Sequence, residues 1–244
     1  VLDLASYMVV EGRNQGQYYP DYAYRHPLFS PGMRIYSDST VSKFLSSVKD
    51  EQIAGFLNDW NTDRDHKSRI YVSYDSTNKN CQAGDVDFVE FGKAKVDLGL
   101  PIFNVGLAMD QNNRIPLFYE LYPGSINDVS QFKFMVDKAV GYGYKNIGFI
   151  IDRGYFCKAN IRYMDEKNYG FVMMVKGCKP LVCAIIDEHR GTFETRRACS
   201  IAGHHIHGTT VKRKLFPDDE RERYLHLFFS PVKMINERCR LEDE

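Results

Sequence analysis

Ile147-Gly148-Phe149-Ile150-Ile151-Asp152-Arg153-Gly154 is apolar on both faces as far as Ile151 and then stops at an acid. An apolar run of that length with no polar alternation is the pattern of a central strand covered on both sides. Upstream of it, Asp128-Val-Ser-Gln131 has the form of a helix cap followed three residues later by Gln. Phe132, Met135, Val136 and Ala139 supply the helix with one apolar stripe, and Gly141 and Gly143 end it. Downstream, the pattern predicts a helix from about Lys158 to Asn168 and a strand from Phe171 to Val175.

Further upstream the period changes to two. Ile70, Val72 and Tyr74 alternate with Tyr71, Ser73 and Asp75, which predicts a half-buried strand. Residues 76–97 are polar and read as a long connection. Strands are expected at Pro101–Met109 and Ile115–Tyr122, joined by the turn-forming Asp110-Gln-Asn-Asn-Arg114. A hairpin meander feeding strand–helix–strand units predicts an α/β fold with a mixed sheet and helices on its faces.

That core is expected over residues 67–190. Residues 1–66 read as a helical and irregular region, with apolar helical spacing at Val41, Phe44, Leu45 and Val48 after Ser39-Thr40, and at Ile53, Phe56, Leu57 and Trp60 after Asp50. Asn61–Lys67 is polar throughout and reads as a linker. The tyrosines at 18, 19, 22 and 24 are read as packing rather than as a base-stacking surface. A helix is expected from Lys176 to Arg190. Residues 191–244 then read as the beginning of a β-rich insertion, with strands at 208–216 and 223–229 about a Pro217-Asp-Asp219 turn.

The composition narrows the function classes. Hydrophobic residues make up 43% and aromatics 14%, enough for a packed core. No apolar run approaches the ~20 residues of a membrane span, and the start has no signal pattern. The first residue is not Met and Leu241-Glu-Asp-Glu244 stops without a turn or cap, as though a helix had been severed, so the chain is expected to be a piece of a longer protein. Six cysteines without a CxxC pair, and with no secretion signal beside them, suit a reducing, cytoplasmic compartment better than a disulfide scaffold. Lys+Arg and Asp+Glu both number 32, which argues against nucleic-acid binding by bulk charge, so any such binding needs a local site.

Asp75 and Asp152 carry the candidate chemistry. Aspartate is disfavoured in strands because its side chain competes for backbone groups, and each of these two ends an apolar strand pattern. Taken singly, each is equally well read as a cap for the turn that follows. As a pair on adjacent strands they would repel unless a cation lay between them, and hard carboxylate oxygens suit Mg2+ or Mn2+. Two such ions roughly 3.5–4 Å apart activate an attacking oxygen and stabilise a leaving one at a phosphodiester.

Tyr71-Val-Ser-Tyr-Asp-Ser-Thr-Asn78 resembles the first-aspartate motif of IS4-type transposases of the DDE superfamily, whose cores are RNase H-like. Phe91-Gly-Lys-Ala-Lys-Val-Asp97, Gly106–Asp110, Ile115–Leu117 and Tyr122–Asp128 resemble the blocks that follow, with Ala94 where Ser is common and Ser125 where Asn is common. Ile150-Ile-Asp-Arg-Gly154 with Asn160 resembles the second-aspartate block, and the likeness continues through Phe171–Lys176 over most of residues 35–240. The resemblance implies that Asp75 and Asp152 are catalytic metal ligands for Mg2+ or Mn2+. It further implies cleavage of double-stranded DNA at the terminal repeats of an insertion sequence, strand transfer into target DNA, and a homodimer as a further expectation.

The third acid of this family is a Glu in a Tyr, Arg, Glu, Lys helix that no tyrosine of this chain matches, so it is expected beyond Glu244 and these residues alone are expected to be inactive. Glu188 is the rival within the chain, at a spacing from Asp152 used by other DDE families. Two other readings stand beside transposition: a domesticated transposase that binds DNA without cutting, and a different RNase H-like nuclease using Glu188 or Asp187. Cys178, Cys183, Cys199 and His204 to His207 fit a zinc site only loosely, and buried free cysteines are the favoured reading. Lys93, Lys95, Arg153, Lys176, Lys179 and Lys212 to Lys214 are candidate phosphate contacts, or simply a solvated basic face.

Overall fold

A computed structural model describes residues 1–65 and 68–242. Helices α1 (Leu2–Glu11), α2 (Tyr19–Arg25), α3 (Asp38–Ser47) and α4 (Asp50–Thr62) precede the strands β1 (Ile70–Asn80), β2 (Ile102–Asp110) and β3 (Ile115–Pro123). Then come α5 (Asp128–Gly141), β4 (Ile147–Ile151), α6 (Lys158–Glu166), β5 (Gly170–Met173) and α7 (Lys179–His189). The chain closes with β6 (Ser200–Ile201), β7 (Ile206–Arg213), β8 (Arg223–Phe229) and α8 (Pro231–Glu242). Two compact units are formed, one from Val1–Ile126 with Lys133–Gly148 and one from Asn127–Phe132 with Phe149–Glu244, so that α5 and β4 each contribute to both.

The sheet has the strand order β3-β2-β1-β4-β5. Its first half is the expected antiparallel meander, with Tyr74 opposite Ala108 and Leu107 opposite Tyr119. β4 begins beside the start of β1, where the Ile70 N–H donates to the Asn146 carbonyl at 3.1 Å. A meander followed by strands linked through helices is the mixed α/β arrangement that the sequence led to.

One face of the meander forms the core of the first unit, with Val72, Tyr74, Ile102, Ala108, Phe118 and Tyr122 all buried. Tyr74 shapes it, because a Cβ added at Gly106 would lie 1.9 Å from the Tyr74 hydroxyl. Only a residue without a side chain lets that ring lie across β2.

β1 runs five residues beyond the expected end, because Ser76–Asn80 pair with Gly106–Ile102. Polar side chains do not prevent a strand when a partner strand satisfies the backbone. Asn61, expected in a linker, is instead 1% exposed in the last turn of α4. Its amide donates to the carbonyls of Leu57 and Leu117 at 2.7 and 2.9 Å and accepts from the Tyr144 hydroxyl at 2.8 Å. Burial pushes the Tyr144 hydroxyl up to about 12. His66 and Lys67, the end of that expected linker, lie outside the described residues.

The N-terminal tyrosines divide. Tyr7, Tyr19 and Tyr22 form a small core of their own with Ala23 and Val41. Tyr18 and Tyr24 are exposed.

In the second unit, a three-stranded antiparallel sheet, β6-β7-β8, follows α7. α6 meets the turn before β8 through charge: Lys158 lies 2.5 and 2.7 Å from the Asp218 oxygens, Arg162 joins it, and Asp165 receives Arg221 and Arg223. α8 answers to the helix that the last residues suggested, and its start was not foreseen. Ser230 caps it by accepting from the Lys233 N–H at 3.2 Å, with Pro231 at its first position, a start signal that the strand reading of 191–244 passed over. Among the described residues no helix is long and apolar enough to cross a membrane.

Candidate functional site

Asp75 belongs to the first unit and Asp152 to the second, and each is built by its own local geometry. Asp75 stands in the middle of β1 rather than at its end, as the sequence pattern had suggested. Alternation turns Tyr74 and Ser76 to the core and leaves Asp75 exposed, in the cross-strand row of Leu107 and Tyr119. Its Oδ1 accepts from the Ser76 N–H at 2.8 Å. Among the described residues, no ammonium or guanidinium pairs with this carboxylate and no donor occupies Oδ2.

Beside this stretch of β1 runs the segment 91–98, fastened by two asparagines. The Asn78 amide donates to the Lys93 carbonyl at 2.8 Å, and its oxygen accepts from the Lys95 N–H at 2.9 Å. Asn80 repeats the pattern with the carbonyl and N–H of Asp97, at 2.8 and 3.2 Å. Each side chain thus imitates the peptide group of a neighbouring strand. The Lys95 Nζ reaches the Ser76 carbonyl at 2.8 Å. The segment enters through a close backbone crossing, since a Cβ on Gly92 would lie 2.0 Å from the Gly124 carbonyl oxygen. Both blocks that resemble the family sequence are thereby joined by side-chain amides.

Asp152 follows β4 and caps the 3-10 turn Arg153–Tyr155, its Oδ2 accepting from the Gly154 N–H at 3.2 Å. Capping and ligand binding are compatible in this carboxylate, because Oδ1 has no hydrogen-bond partner among the described residues. Behind the turn, Asn160 is 2% exposed and donates to the carbonyls of Tyr155 and Val129 at 3.0 and 3.1 Å, which fixes the backbone that carries Asp152. Tyr155 packs against Phe132 at 6.0 Å between centroids.

Glu188 sits on α7 with both oxygens 2.9 Å from the Arg213 Nη2 of β7. Its neighbour Asp187 lies 3.5 Å from Arg190. Among the described residues no group of three or more His, Cys, Asp or Glu side chains is arranged to hold a metal. All six cysteines are free, and none is fully buried as expected: Cys183 and Cys239 are exposed and the other four half-buried. Two of them stand at helix starts instead of in a core, Cys157 capping α6 through its sulfur and Cys178 preceding α7.

A divalent ion fits the donor chemistry of the two aspartates. Each offers one carboxylate oxygen that no donor of the described chain occupies, and a hard oxygen donor of that kind suits Mg2+ or Mn2+.

The sequence model of the transposase DDE domain matches residues 74–224, more than half of the chain. No curated protein matches the sequence. Among solved structures the chain is similar to Mos1 transposase in a paired-end complex with the left transposon end, at 12% identity, covering 77% of this chain and 64% of that one with a TM-score of 0.30. It is similar to piggyBac transposase in a synaptic complex with hairpin DNA at 10% identity, covering 80% and 40% with a TM-score of 0.42. An endonuclease V from Ciona intestinalis bound to inosine-containing DNA is similar at 12% identity, covering 75% and 83% with a TM-score of 0.30. The chain spans less than two thirds of the length of either transposase. With Asp75 and Asp152 both inside the matched residues, the chain belongs to the transposase DDE domain family.

Proposed function

We propose that this chain is the catalytic core of a cut-and-paste DNA transposase, in which Asp75 and Asp152 hold Mg2+ or Mn2+. Family membership supports the reading, and the observation that carries it is the state of the two acids. Each is exposed, has one oxygen taken by a backbone N–H and the other unoccupied, and lacks a basic partner among the described residues.

When bound, the metal would activate water or a 3′ hydroxyl and stabilise the leaving oxygen of the phosphodiester. The chain's own part is positional. β1 and the cap on Gly154 fix where each carboxylate stands, and Asn160 immobilises the turn beneath Asp152. The substrates would be double-stranded DNA carrying the terminal repeats and the target DNA, handled by a homodimer in the cytoplasm. The division into a helical region over 1–66, a core over 67–190 and an insertion over 191–244 belongs to the same proposal.

A self-contained nuclease that used Glu188 or Asp187 is disfavoured because guanidinium groups already engage both carboxylates. Residues 1–244 are therefore expected to bind duplex DNA in a salt-dependent manner without cutting it. Nicking of supercoiled plasmid with Mn2+ is the test. Strong nicking that disappears in Glu188→Ala would overturn this choice of ligands, and failure to bind duplex DNA at any ionic strength would overturn the transposase reading.

A further inference from the structure

We propose that Lys95 is a fixed phosphate-contact residue beside Asp75, and that Asn78 and Asn80 are the positioning residues that hold it there. The inference rests on DNA being the substrate, as proposed above, and adds to it a specific cation and the device that places it.

A lysine on a loop ordinarily has many rotamers, and holding one of them costs side-chain entropy. Here the backbone on either side of Lys95 is fastened before the side chain is considered. The Lys95 N–H is bound by Asn78, the Lys93 carbonyl by the same amide, and Asp97 by Asn80 at both its N–H and its carbonyl. Each asparagine uses its oxygen and its nitrogen, so neither amide can turn over without losing both bonds. The two stand on one face of β1 two residues apart, the spacing that meets alternate residues of an extended neighbour.

The side chain is then directed onto β1. Its Nζ donates to the carbonyl of Ser76, the residue after Asp75, at 2.8 Å. An ammonium has three donors, and among the described residues this is the one bond its Nζ makes, with no carboxylate in ion-pair contact. A cation that is held by a neutral carbonyl and leaves its remaining donors open is arranged to receive an anion. The chain has no net charge to attract DNA in bulk, so backbone contacts must come from such local cations. A phosphate next to the one processed at Asp75 matches in charge and in position along the strand.

The test is the salt dependence of duplex binding by the chain, followed by fluorescence anisotropy with a labelled duplex of about 30 base pairs. Each neutralised phosphate contributes about 0.9 to the slope of log affinity against log salt. Lys95→Gln is expected to lower that slope by about 0.9, and Lys95→Arg to retain it. Asn78→Leu is expected to lower it by a similar amount, and the double variant Asn78→Leu/Lys95→Gln no further than either alone. A purely structural role for Asn78 would reduce thermal stability with the slope unchanged. If Asn78→Leu does not fold, the exposed Lys95→Gln decides by itself. Binding by the wild type with an unchanged slope in Lys95→Gln would overturn the assignment while leaving the transposase reading intact. No binding by the wild type would overturn both.

Discussion

Arg213 holds Glu188 with one guanidinium nitrogen 2.9 Å from each carboxylate oxygen, tying β7 to α7. The acid that spacing alone nominates as a third metal ligand is thus part of an ion pair between helix and hairpin. Both side chains are about half exposed, so the pair contributes at most about 1 kcal/mol. Glu188→Ala should shift the urea midpoint only slightly and leave Mn2+ affinity unchanged. Isothermal titration with Mn2+ checks this, and a lost binding event in that variant would restore Glu188 as a ligand.

Gly106 and Tyr74 form the tightest packing constraint near the candidate site. A methyl group at Gly106 would meet the Tyr74 hydroxyl at 1.9 Å and ring carbons at 2.5 and 2.8 Å. Tyr74 is buried in the core and cannot swing out cheaply. Gly106→Ala should destabilise the fold by about 1–3 kcal/mol, the usual cost of overpacking a core, as measured by urea unfolding. A variant as stable as the wild type would show that the ring does not lie across β2.

The charged tie between α6 and the turn before β8 carries a pH signature. Hydrogen bonding by Lys158, followed by that of Arg162, lowers the Asp218 carboxyl to about 2. A folded-state value below the ordinary carboxylate range of about 3.9 makes its contribution complete above that range and lost as pH falls through about 2. Asp218→Asn should therefore be less stable than the wild type near pH 5, and the gap should close toward pH 2. Urea midpoints across that window measure it, and a constant gap would contradict the assignment.

Asp165 supports the same hairpin more deeply. Arg223 is 13% exposed in its side chain, lies over the Phe171 ring and donates to Asp165 at 2.9 Å. Asp165→Asn removes the nearer of the two carboxylates that face a largely buried guanidinium, Asp219 standing 3.7 Å from its Nε, and should cost about 1.5–3 kcal/mol. Thermal unfolding of the variant checks it, and a change within about 0.5 kcal/mol would place the hairpin's stability elsewhere.

Much of this arrangement was legible in the sequence because burial leaves periodic traces. Ile147–Ile151 is an inner strand that reads as an unbroken apolar run, with Ile147, Phe149 and Ile151 buried but Ile150 exposed rather than covered as expected, while the meander reads as alternation with one face covered. What escaped has a different physical basis. Ser76–Asn80 form a strand through backbone pairing and side-chain amides, neither of which shows in hydropathy. α8 buries no side chain among its described residues, so its terminal signals, Ser230 and Pro231, were the trace available. Asp75 and Asp152 stood out as acids where apolar strands are expected, whereas the part played by Asn78, Asn80 and Lys95 depends on partners 15–19 residues apart that no local pattern encodes.

The most direct measurement is Mn2+ binding to the purified chain by isothermal titration, with paramagnetic resonance of free Mn2+ as a second readout, for the wild type, Asp75→Asn and Asp152→Asn. The account predicts saturable binding by the wild type that either substitution weakens at least tenfold while thermal stability in metal-free buffer is preserved. Wild-type affinity retained in both variants would contradict it.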